Sequence, residues 1–258
     1  MNFYKITNEE EKHNDLQYKT GLNIDPLPWN PKGNCTPGGI YFSREDIFAF
    51  VNYGVWVRKV TIPEGTEIYE NPGSPKKWKA HKVILGKREK LSAVTIRKLL
   101  EQGADIHIAN DYVIKWASKE GHFETVKLLL ECGANICDSN DWALFWASKN
   151  EHIDTLKLLL EQGRSIHTRN DHTLIWASTN GHMEIIKLLL KHKVNVNTAG
   201  KYALKEASKN GHLEIVKLLL EHGADVHTGA DWLFKWAREN GHTKVAELLL
   251  KHGATQSS

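Results

Sequence analysis

Residues 211–227 read GHLEIVKLLLEHGADVH, and closely similar stretches recur along the chain every thirty residues. The Gly-His pair that opens this stretch returns at positions 121, 181 and 241, and Glu-His takes its place at 151. Leucine triplets keep the same register from 128–130 to 248–250. A single pair of short helices has too little surface to cover its own apolar face, so units of this kind stack and share a core. The sequence therefore predicts a solenoid.

The residue pattern of each unit predicts five consecutive parts: a turn, a short helix such as 141–150, the Gly-His turn, a longer helix such as 213–223 and an extended link. In the longer helix Ile215, Leu218 and Leu219 share one face, which predicts their burial. A left-handed glycine is expected to end this helix, and only Lys193 departs from the pattern. Aspartates at 111, 141, 171 and 231 precede the short helices and are expected to cap them.

The repeated stretch resembles the second half of an ankyrin repeat almost residue for residue. Two features depart from the family pattern: the period is thirty rather than 33, and the Thr-Pro-Leu-His signature is replaced by sequences such as Trp-Ala-Leu-Phe at 142–145. The resemblance implies a mainly α, ankyrin-type helical solenoid whose protruding hairpins are shortened. The predicted solenoid covers 91–258, as a partial repeat 91–108 and repeats 109–138, 139–168, 169–198, 199–228 and 229–258.

Residues 1–90 differ in composition and are predicted to form a small β-rich (α+β) module, called the front module below. All seven prolines of the chain lie in it. Strand-like runs are found at 39–42, 55–62, 66–69 and 80–85, separated by turn signals, and 45–52 suits a short helix. The strand near Val83 and Leu85 is expected to pack on the partial repeat and to serve as its N-terminal cap.

Composition describes an ordinary globular protein. The net charge of +3 and the absence of a dense basic stripe argue against nucleic-acid binding. A run of lysines and arginines at 76–90 is the one feature that keeps this function open. The three cysteines form no CxxC pair, which favours free thiols. No apolar run approaches the roughly 20 residues of a membrane span, and the start lacks the apolar stretch of a signal peptide. An intracellular protein without a membrane partner is expected, and no F-box-like segment is expected after the last repeat.

Two aromatic ladders run through the repeats. Trp116, Trp146, Trp176 and Trp236 hold a position where ankyrin repeats place a residue between neighbouring repeats, so core packing is expected. The second ladder begins each short helix, and both packing and binding remain open for it. The resemblance implies a concave binding surface that includes the ends of the short helices. The partner-binding hypothesis comprises Tyr112, Lys119, Trp142, Lys149, His172, Thr179, Tyr202, Lys209, Trp232 and Glu239.

The histidines of the Gly-His turns invite a metal-binding reading, but they occur once per repeat along a line, whereas zinc needs ligands that converge. The resemblance implies a structural role for them in tying neighbouring turns together. No metal, no cofactor and no small-molecule substrate are therefore predicted, and enzymatic activity is not expected.

The sequence of the front module permits one alternative function that is more specific than protein binding. The segment from Gly21-Leu22 to the Gly-Ile-Tyr-Phe run at 39–42 is similar to part of the poly-ADP-ribose polymerase fold, which would match Tyr41 to the tyrosine that stacks on nicotinamide. The His-Gly motif that holds the ribose in that family is absent, since the corresponding run reads FYKIT. The alternative is thus a degenerate ADP-ribosyltransferase-like or NAD-recognising module that the repeats deliver to a target.

The whole arrangement resembles the ankyrin proteins that giant DNA viruses of amoebae encode in many copies. The function predicted from the sequence is a non-enzymatic scaffold that binds one or more proteins, expected to be host proteins, on the concave ankyrin surface. The expected location is the host cytoplasm.

Overall fold

The computed structural model describes residues 2–13, 15–31, 38–136, 142–162, 171–194, 196–227 and 230–254. The chain forms two compact units, the first comprising Met1–Ala117 with Glu124–Asn135 and the second comprising Ser118–Phe123 with Ile136–Ser258. Cys35, Cys137, Gly163 and the predicted cap Asp141 lie outside the described residues, as do the side chains of the predicted caps Asp171 and Asp231. Cys132 is an exposed free thiol.

Antiparallel strands fill most of the front module, as the sequence predicts. A four-stranded sheet has the order β1-β6-β9-β4, a three-stranded sheet has the order β5-β8-β7, and β2 pairs with β3. The strands are β1 (Phe3–Thr7), β2 (Lys12–His13), β3 (Leu16–Gln17), β4 (Gly21–Ile24), β5 (Ile40–Phe42), β6 (Trp56–Thr61), β7 (Ile68–Asn71), β8 (Lys77–Ala80) and β9 (Lys82–Lys90). The run predicted at 80–85 falls across β8 and β9, and β1 to β4 have no counterpart in the prediction.

The core of the front module lies between its strands. Its largest cluster contains Phe3, Tyr18, Ile40, Phe42, Val60, Ala80, Val83 and Leu85. The rings of Phe3 and Phe42 meet edge to face with centroids 5.0 Å apart, a favoured aromatic geometry. Val83 and Leu85 therefore point into the module's own core, which differs from the expectation that they pack on the partial repeat.

The 3-10 helix Glu45–Tyr53 and the C-terminal end of β9 supply the contacts with the partial repeat. The Asp105 N–H donates to the Glu45 carbonyl oxygen at 2.7 Å, and Lys98 Nζ lies 3.0 Å from Glu89 Oε2. Helix α1 (Ala93–Glu101) begins after Ser92, whose hydroxyl accepts from the Thr95 N–H. The division predicted after residue 90 falls between β9 and α1 and stays a prediction.

A buried ion pair ties β6 to the turn after β1. Arg58 and Glu11 are 3% and 7% exposed, and two hydrogen bonds of 2.6 Å join the guanidinium to both carboxylate oxygens. The hydrogen bond from Arg58 lowers the pKa of the Glu11 carboxyl. Nearby, burial lowers the pKa of Lys5 to about 8, and its Nζ donates to the Tyr41 carbonyl oxygen at 2.9 Å.

Each repeat contains two helices. The first helices are α2 (Ile108–Lys119), α4 (Trp142–Lys149), α6 (Asp171–Asn180), α8 (Val196–Lys209) and α10 (Ala230–Glu239). The second helices, in addition to α1, are α3 (Phe123–Glu131), α5 (Ile153–Glu161), α7 (Met183–Lys191), α9 (Leu213–Glu221) and α11 (Thr243–Lys251). Every second helix has nine residues while the first helices have 8 to 14, so the expected contrast of short and long is wrong. The described residues of the repeats contain no strand.

Burial follows the predicted apolar face of the second helices. In α9, Ile215, Val216 and Leu219 are at most 3% exposed, whereas Leu218 is only partly buried. Glu214 and Lys217 are exposed. Along the second unit, consecutive first helices contact one another, α4 with α6, α6 with α8 and α8 with α10. The repeats therefore share one continuous core, as expected of a solenoid.

In three places in the second unit, the histidine of one turn packs on the glycine of the preceding turn. A Cβ atom on Gly121, Gly181 or Gly211 would lie 2.6, 2.9 and 2.5 Å from the imidazole of His152, His212 and His242, respectively. The Nε2 atoms of these histidines lie 3.0, 3.1 and 3.1 Å from the carbonyl oxygens of Lys119, Thr179 and Lys209. Each imidazole thus packs on the glycine of the preceding turn and donates to the preceding first helix. These contacts confirm the predicted structural role for His152, His212 and His242.

The exception at Glu151 changes the turn that follows it. Glu151 keeps a left-handed backbone, with φ of 58°. Its Oε1 lies 3.4 Å from His182 Nδ1, and the His182 ring stacks on Trp176 with centroids 4.7 Å apart and an interplanar angle of 15°. A glutamate carries a Cβ in the space that the imidazole needs, so the histidine turns toward the tryptophan.

Backbone conformations at the ends of the second helices also follow the sequence. Gly103, Gly133, Gly223 and Gly253 have φ between 88° and 96°. Lys193 adopts the same left-handed region with φ of 58°, so the lysine departs from the pattern in residue type and not in conformation.

The cap predicted at Asp111 is wrong. Ala109, Asn110 and Asp111 all have left-handed backbones, with φ from 54° to 58°. The Asp111 carboxylate lies 2.9 Å from His107 Nδ1 and accepts from the Asn135 N–H at 2.8 Å. It therefore fixes the turn after α3, at the end of the same repeat, instead of satisfying the first amides of its own helix.

In the part of the chain that the structure describes, no helix combines the length and apolar character that a bilayer span requires.

Candidate protein-binding surface

The aromatic ladder that begins the first helices is exposed in the second unit. Trp142, Tyr202 and Trp232 are 40%, 52% and 56% exposed, and His172 is exposed as well. Large aromatic side chains are usually buried, and exposed ones are common at interfaces. Tyr112 belongs to the first unit and is partly buried.

The exposed ladder is one edge of a wider surface. Residues three, four and seven positions after each ladder residue lie on the same helical face. We call this surface of the second unit the aromatic face. It comprises Trp142, Phe145, Trp146, Lys149, His172, Ile175, Trp176, Thr179, Tyr202, Lys205, Glu206, Lys209, Trp232, Lys235, Trp236 and Glu239, with Lys119 before them and Lys201 beside Tyr202.

Core packing was expected for the ladder of Trp116, Trp146, Trp176 and Trp236. Only Trp116 is buried. Trp116 is 7% exposed, whereas Trp146, Trp176 and Trp236 are only partly buried. Two of the three stack on the exposed ladder: the Trp142 and Trp146 centroids are 6.2 Å apart at 24°, and those of Trp232 and Trp236 are 5.7 Å apart at 38°. The two ladders therefore form one aromatic surface.

The aromatic residues are densest at α4. Phe145 meets Trp142, Trp146 and Trp176 with centroids 5.7, 5.6 and 6.5 Å apart, each near a right angle. Lys149 Nζ lies 4.9 Å from the Trp146 centroid, and Lys119 Nζ lies 5.6 Å from it. We call Lys119, Trp142, Phe145, Trp146, Lys149 and Trp176 the α4 cluster.

Lysines also lie over the rings at α8 and α10. Lys205 Nζ is 4.6 Å from the Trp236 centroid, and Lys235 Nζ is 5.5 Å from that of Trp232. These ammonium groups have carboxylate neighbours too: Lys205 lies 3.9 Å from Glu206, and Lys235 lies 3.9 Å from Glu239. Each cation–π contact of this kind contributes about 0.5–1 kcal/mol at an exposed site.

The structure therefore brings some of the predicted site residues together. Lys119, Trp142 and Lys149 surround Trp146. The Thr179 hydroxyl donates to the Ile175 carbonyl oxygen of its own helix at 2.8 Å, so that group is satisfied internally. The prediction omitted Phe145, Trp146, Lys205, Lys235 and Trp236, although their spacing from the exposed ladder places them on the same face.

The contacts of the front module give no support to the NAD-recognising alternative. Lys77 and Lys79 place their Nζ atoms 5.2 and 5.0 Å from the Tyr41 centroid. Lys79 is fully buried, and its Nζ donates to the Asn30 carbonyl oxygen at 2.7 Å. Lys79 also cannot reach a nucleic-acid phosphate from this position, which weakens the basic run at 76–90 as a binding stripe. Among the described residues, no three His, Cys, Asp or Glu side chains form a group that could hold a metal ion.

Comparison with known proteins identifies the repeats. The family model for ankyrin repeats in three copies matches residues 90–170 and 168–230. An ankyrin repeat protein of Acanthamoeba polyphaga mimivirus is 38% identical over 136 residues, which cover 47% of this chain and 44% of that protein. An uncharacterized protein of the same virus is 36% identical over 132 residues, covering 47% of this chain and 92% of its own length.

A third mimivirus protein, also an ankyrin repeat protein, is 33% identical over 128 residues, covering 47% of this chain and 63% of its own length. The chain thus spans less than half of the first of these relatives. The thirty-residue period, the interlocked histidine turns and the family match agree, and the chain belongs to the ankyrin-repeat family, with relatives among the ankyrin-repeat proteins of a giant virus.

Proposed function

We propose that this protein is a non-enzymatic scaffold that binds a partner protein on the aromatic face. Ankyrin repeats suggest a protein–protein interaction role in general, and members of the family are generally scaffolds. The observation that carries the finer proposal is the exposure of Trp142, Tyr202 and Trp232 at one repeat position. Tryptophan and tyrosine dominate the residues that contribute most to binding at protein interfaces.

The scaffold behind the face is held by contacts between neighbouring helices and turns, which supports binding by a preformed surface. The helices behind it pack through a continuous core, and the histidine turns fix the ends of the first helices. The Asn150 side chain donates to the Lys119 carbonyl oxygen at 2.6 Å, beside the bond from His152. A surface ordered before binding loses little conformational entropy when a partner docks.

The proposed footprint keeps nine of the ten residues predicted from the sequence and adds their helical neighbours. The place of Tyr112 stays a prediction, because it lies in the first unit. The proposed partners are proteins of the amoebal host, and the proposed location is the host cytoplasm. The viral origin of the relatives supports both points.

Affinity capture from an Acanthamoeba extract tests the proposal, with quantitative mass spectrometry of full-length protein and two variants. Trp142→Ala and Trp232→Ala together should reduce capture of a specific partner at least tenfold, since each interface anchor contributes about 2 kcal/mol. Phe123→Ala is the matched control, because Phe123 is an aromatic residue with 36% exposure on a second helix. A partner retained equally by all three proteins refutes binding through the aromatic face.

A further inference from the structure

We propose that the α4 cluster recognises an acidic residue next to an apolar side chain in the partner's chain. Lys119 and Lys149 would hold the carboxylate, and Trp142 and Phe145 would cover the apolar side chain. This inference rests on the proposed function and specifies the chemistry of the partner at one end of the aromatic face.

The two ammonium groups lie close enough to act on one acidic group. Both are over the same indole ring, at 4.9 and 5.6 Å from the Trp146 centroid. Their separation is therefore at most about 10.5 Å, the sum of those two distances. A carboxylate docked against the Trp146 ring would therefore lie within about one Debye length of both charges at 0.1 M salt, where opposite charges still attract.

The backbone that carries these lysines is held in place. The Lys119 carbonyl oxygen accepts from both Asn150 Nδ2 and His152 Nε2. Lys149 occupies the equivalent position one repeat later, at the end of α4. The spacing of the two side chains is thus set by the stacking of the repeats.

Charge distinguishes this cluster from the other end of the face. At α8 and α10, Lys205 and Lys235 already have carboxylates within 3.9 Å. Lys119 has an exposed partner in Glu120 at 3.6 Å. Within the described part of the chain, no carboxylate lies within 4.0 Å of Lys149 Nζ. The α4 cluster therefore has a cation that an acidic partner residue would neutralise.

The aromatic surroundings favour an apolar neighbour to that acidic residue. Trp142 is 40% exposed beside Phe145, so an apolar side chain docked there would bury ring surface next to the ammonium groups. Single-stranded nucleic acid also combines negative charge with flat bases. A phosphate backbone needs a continuous basic stripe. The face does not provide one, because α6 (Asp171–Asn180), between α4 and α8, contains no lysine or arginine.

The test uses full-length protein and a synthetic dodecapeptide with three Glu-Glu-Leu-Phe units, blocked at both ends. Binding is measured by calorimetry and by tryptophan fluorescence at 50 and 300 mM salt. Lys149→Gln should weaken binding three- to fivefold, and Lys119→Gln with Lys149→Gln at least tenfold, with loss of the salt dependence. The matched control is Lys187→Gln on the exposed side of α7, outside the aromatic face, which is expected to change affinity less than twofold.

Three peptides and one oligonucleotide decide whether the α4 cluster binds an acidic and apolar segment. Peptides with glutamine for glutamate, or alanine for leucine and phenylalanine, should bind at least tenfold more weakly. Equal binding of the glutamine peptide, no effect of the lysine variants, or no binding of the parent peptide at 1 mM overturns the proposal. Displacement of the parent peptide by a dodecamer of thymidylate, with the same dependence on Lys149, also overturns it in favour of a nucleic-acid surface.

Failure of this inference is distinguishable from failure of the proposed function. If the lysine variants capture the partner normally while Trp142→Ala with Trp232→Ala loses it, the face binds a partner of different chemistry. If the tryptophan variant also captures the partner normally, the proposed function itself fails.

Discussion

Alanine at Gly211 and at Gly241 should have different effects on stability, although the two glycines occupy the same position of successive repeats. Their backbones are nearly identical, with φ of 75° and 77°. A Cβ on Gly211 would lie 2.5 Å from His242 Nδ1, whereas a Cβ on Gly241 meets nothing within 4 Å. The comparison therefore separates the contact between repeats from the cost of the backbone conformation.

The expected magnitudes follow from two contributions. A left-handed alanine costs about 1–2 kcal/mol, offset by about 0.4–1 kcal/mol through the smaller entropy of the unfolded chain. Gly241→Ala should thus lower the free energy of unfolding by about 1 kcal/mol. In Gly211→Ala the imidazole must also move and give up its hydrogen bond to the Lys209 carbonyl oxygen, which costs about 1 kcal/mol more with the lost packing added. A total of about 2 kcal/mol is expected.

Urea unfolding followed by circular dichroism measures these differences, and hydrogen exchange of the α11 amides reports the same change locally. The double variant Gly211→Ala with His242→Ala supplies the coupling energy. In the His242→Ala background the cost of Gly211→Ala should fall to that of Gly241→Ala. Equal effects of the two glycine substitutions in the native background, or no coupling between Gly211 and His242, would refute the interlocking role assigned to the histidine turns.

Three other substitutions test single features of the fold. The Ser148 side chain is buried, and its hydroxyl has no hydrogen-bond partner among the residues that the structure describes. Ser148→Ala should therefore raise the free energy of unfolding by up to about 1 kcal/mol, and a lower urea midpoint would contradict this. Lys193→Gly should stabilise the protein by about 0.5–1 kcal/mol because glycine adopts its left-handed backbone at lower cost, whereas Lys191→Gly inside α7 should destabilise it. Glu11→Gln should destabilise by about 3 kcal/mol at pH 7, since Arg58 then stays buried without its partner. Because the pKa of Glu11 is lowered in the folded state, its contribution is complete above the ordinary value of 4.5 and is lost as the pH falls through the lowered pKa. The difference between wild type and Glu11→Gln should therefore shrink on acidification in melting experiments, and a constant difference from pH 7 to 2 would contradict the assignment.

The solenoid could be predicted from the sequence because each repeat carries the same local residue pattern. The burial of Ile215 and Leu219 follows from helical spacing alone, and the left-handed backbone at Gly103 or Gly223 follows from residue type. Repetition removes the main uncertainty of such reasoning, since an accidental pattern would not return every thirty residues. The family match then confirms the architecture.

The front module was less predictable because its strands pair over long distances. β1 pairs with β6, and β4 pairs with β9 from the other end of the module. FYKIT at 3–7 and GLNI at 21–24 are short, and their pairing partners lie 49 to 64 residues away in sequence. Asp111 shows the same limitation on a smaller scale: its residue type suggests a local cap, but its carboxylate accepts from an amide 24 residues later, at the other end of the same repeat.

Part of the aromatic face could be predicted, and the rest depends on packing between repeats. The ladder position was evident, yet sequence alone left open whether Trp142 was buried. The exposure of Trp146 depends on how closely α4 and α6 approach, which no residue pattern specifies. Lys119 joins the α4 cluster only because the repeats stack in register, which brings the end of one first helix beside the ring of the next.

Chemical variation along a constant scaffold explains how one end of the face differs from the other. The position three residues after the ladder changes from Phe145 to Ile175, Lys205 and Lys235, while the helices behind it keep the same core. At α8 and α10 this position is a lysine, Lys205 or Lys235, and each lysine has a carboxylate within 3.9 Å. At α4 the same position is Phe145, which extends the aromatic cluster beside Lys149. Because the repeats place these groups at fixed intervals, the proposed binding on this face predicts that a partner chain is discriminated by the order of its apolar and acidic residues. Affinity for an extended acidic and apolar segment should consequently depend on the direction in which its sequence runs, and a reversed-sequence peptide of the same composition provides the comparison.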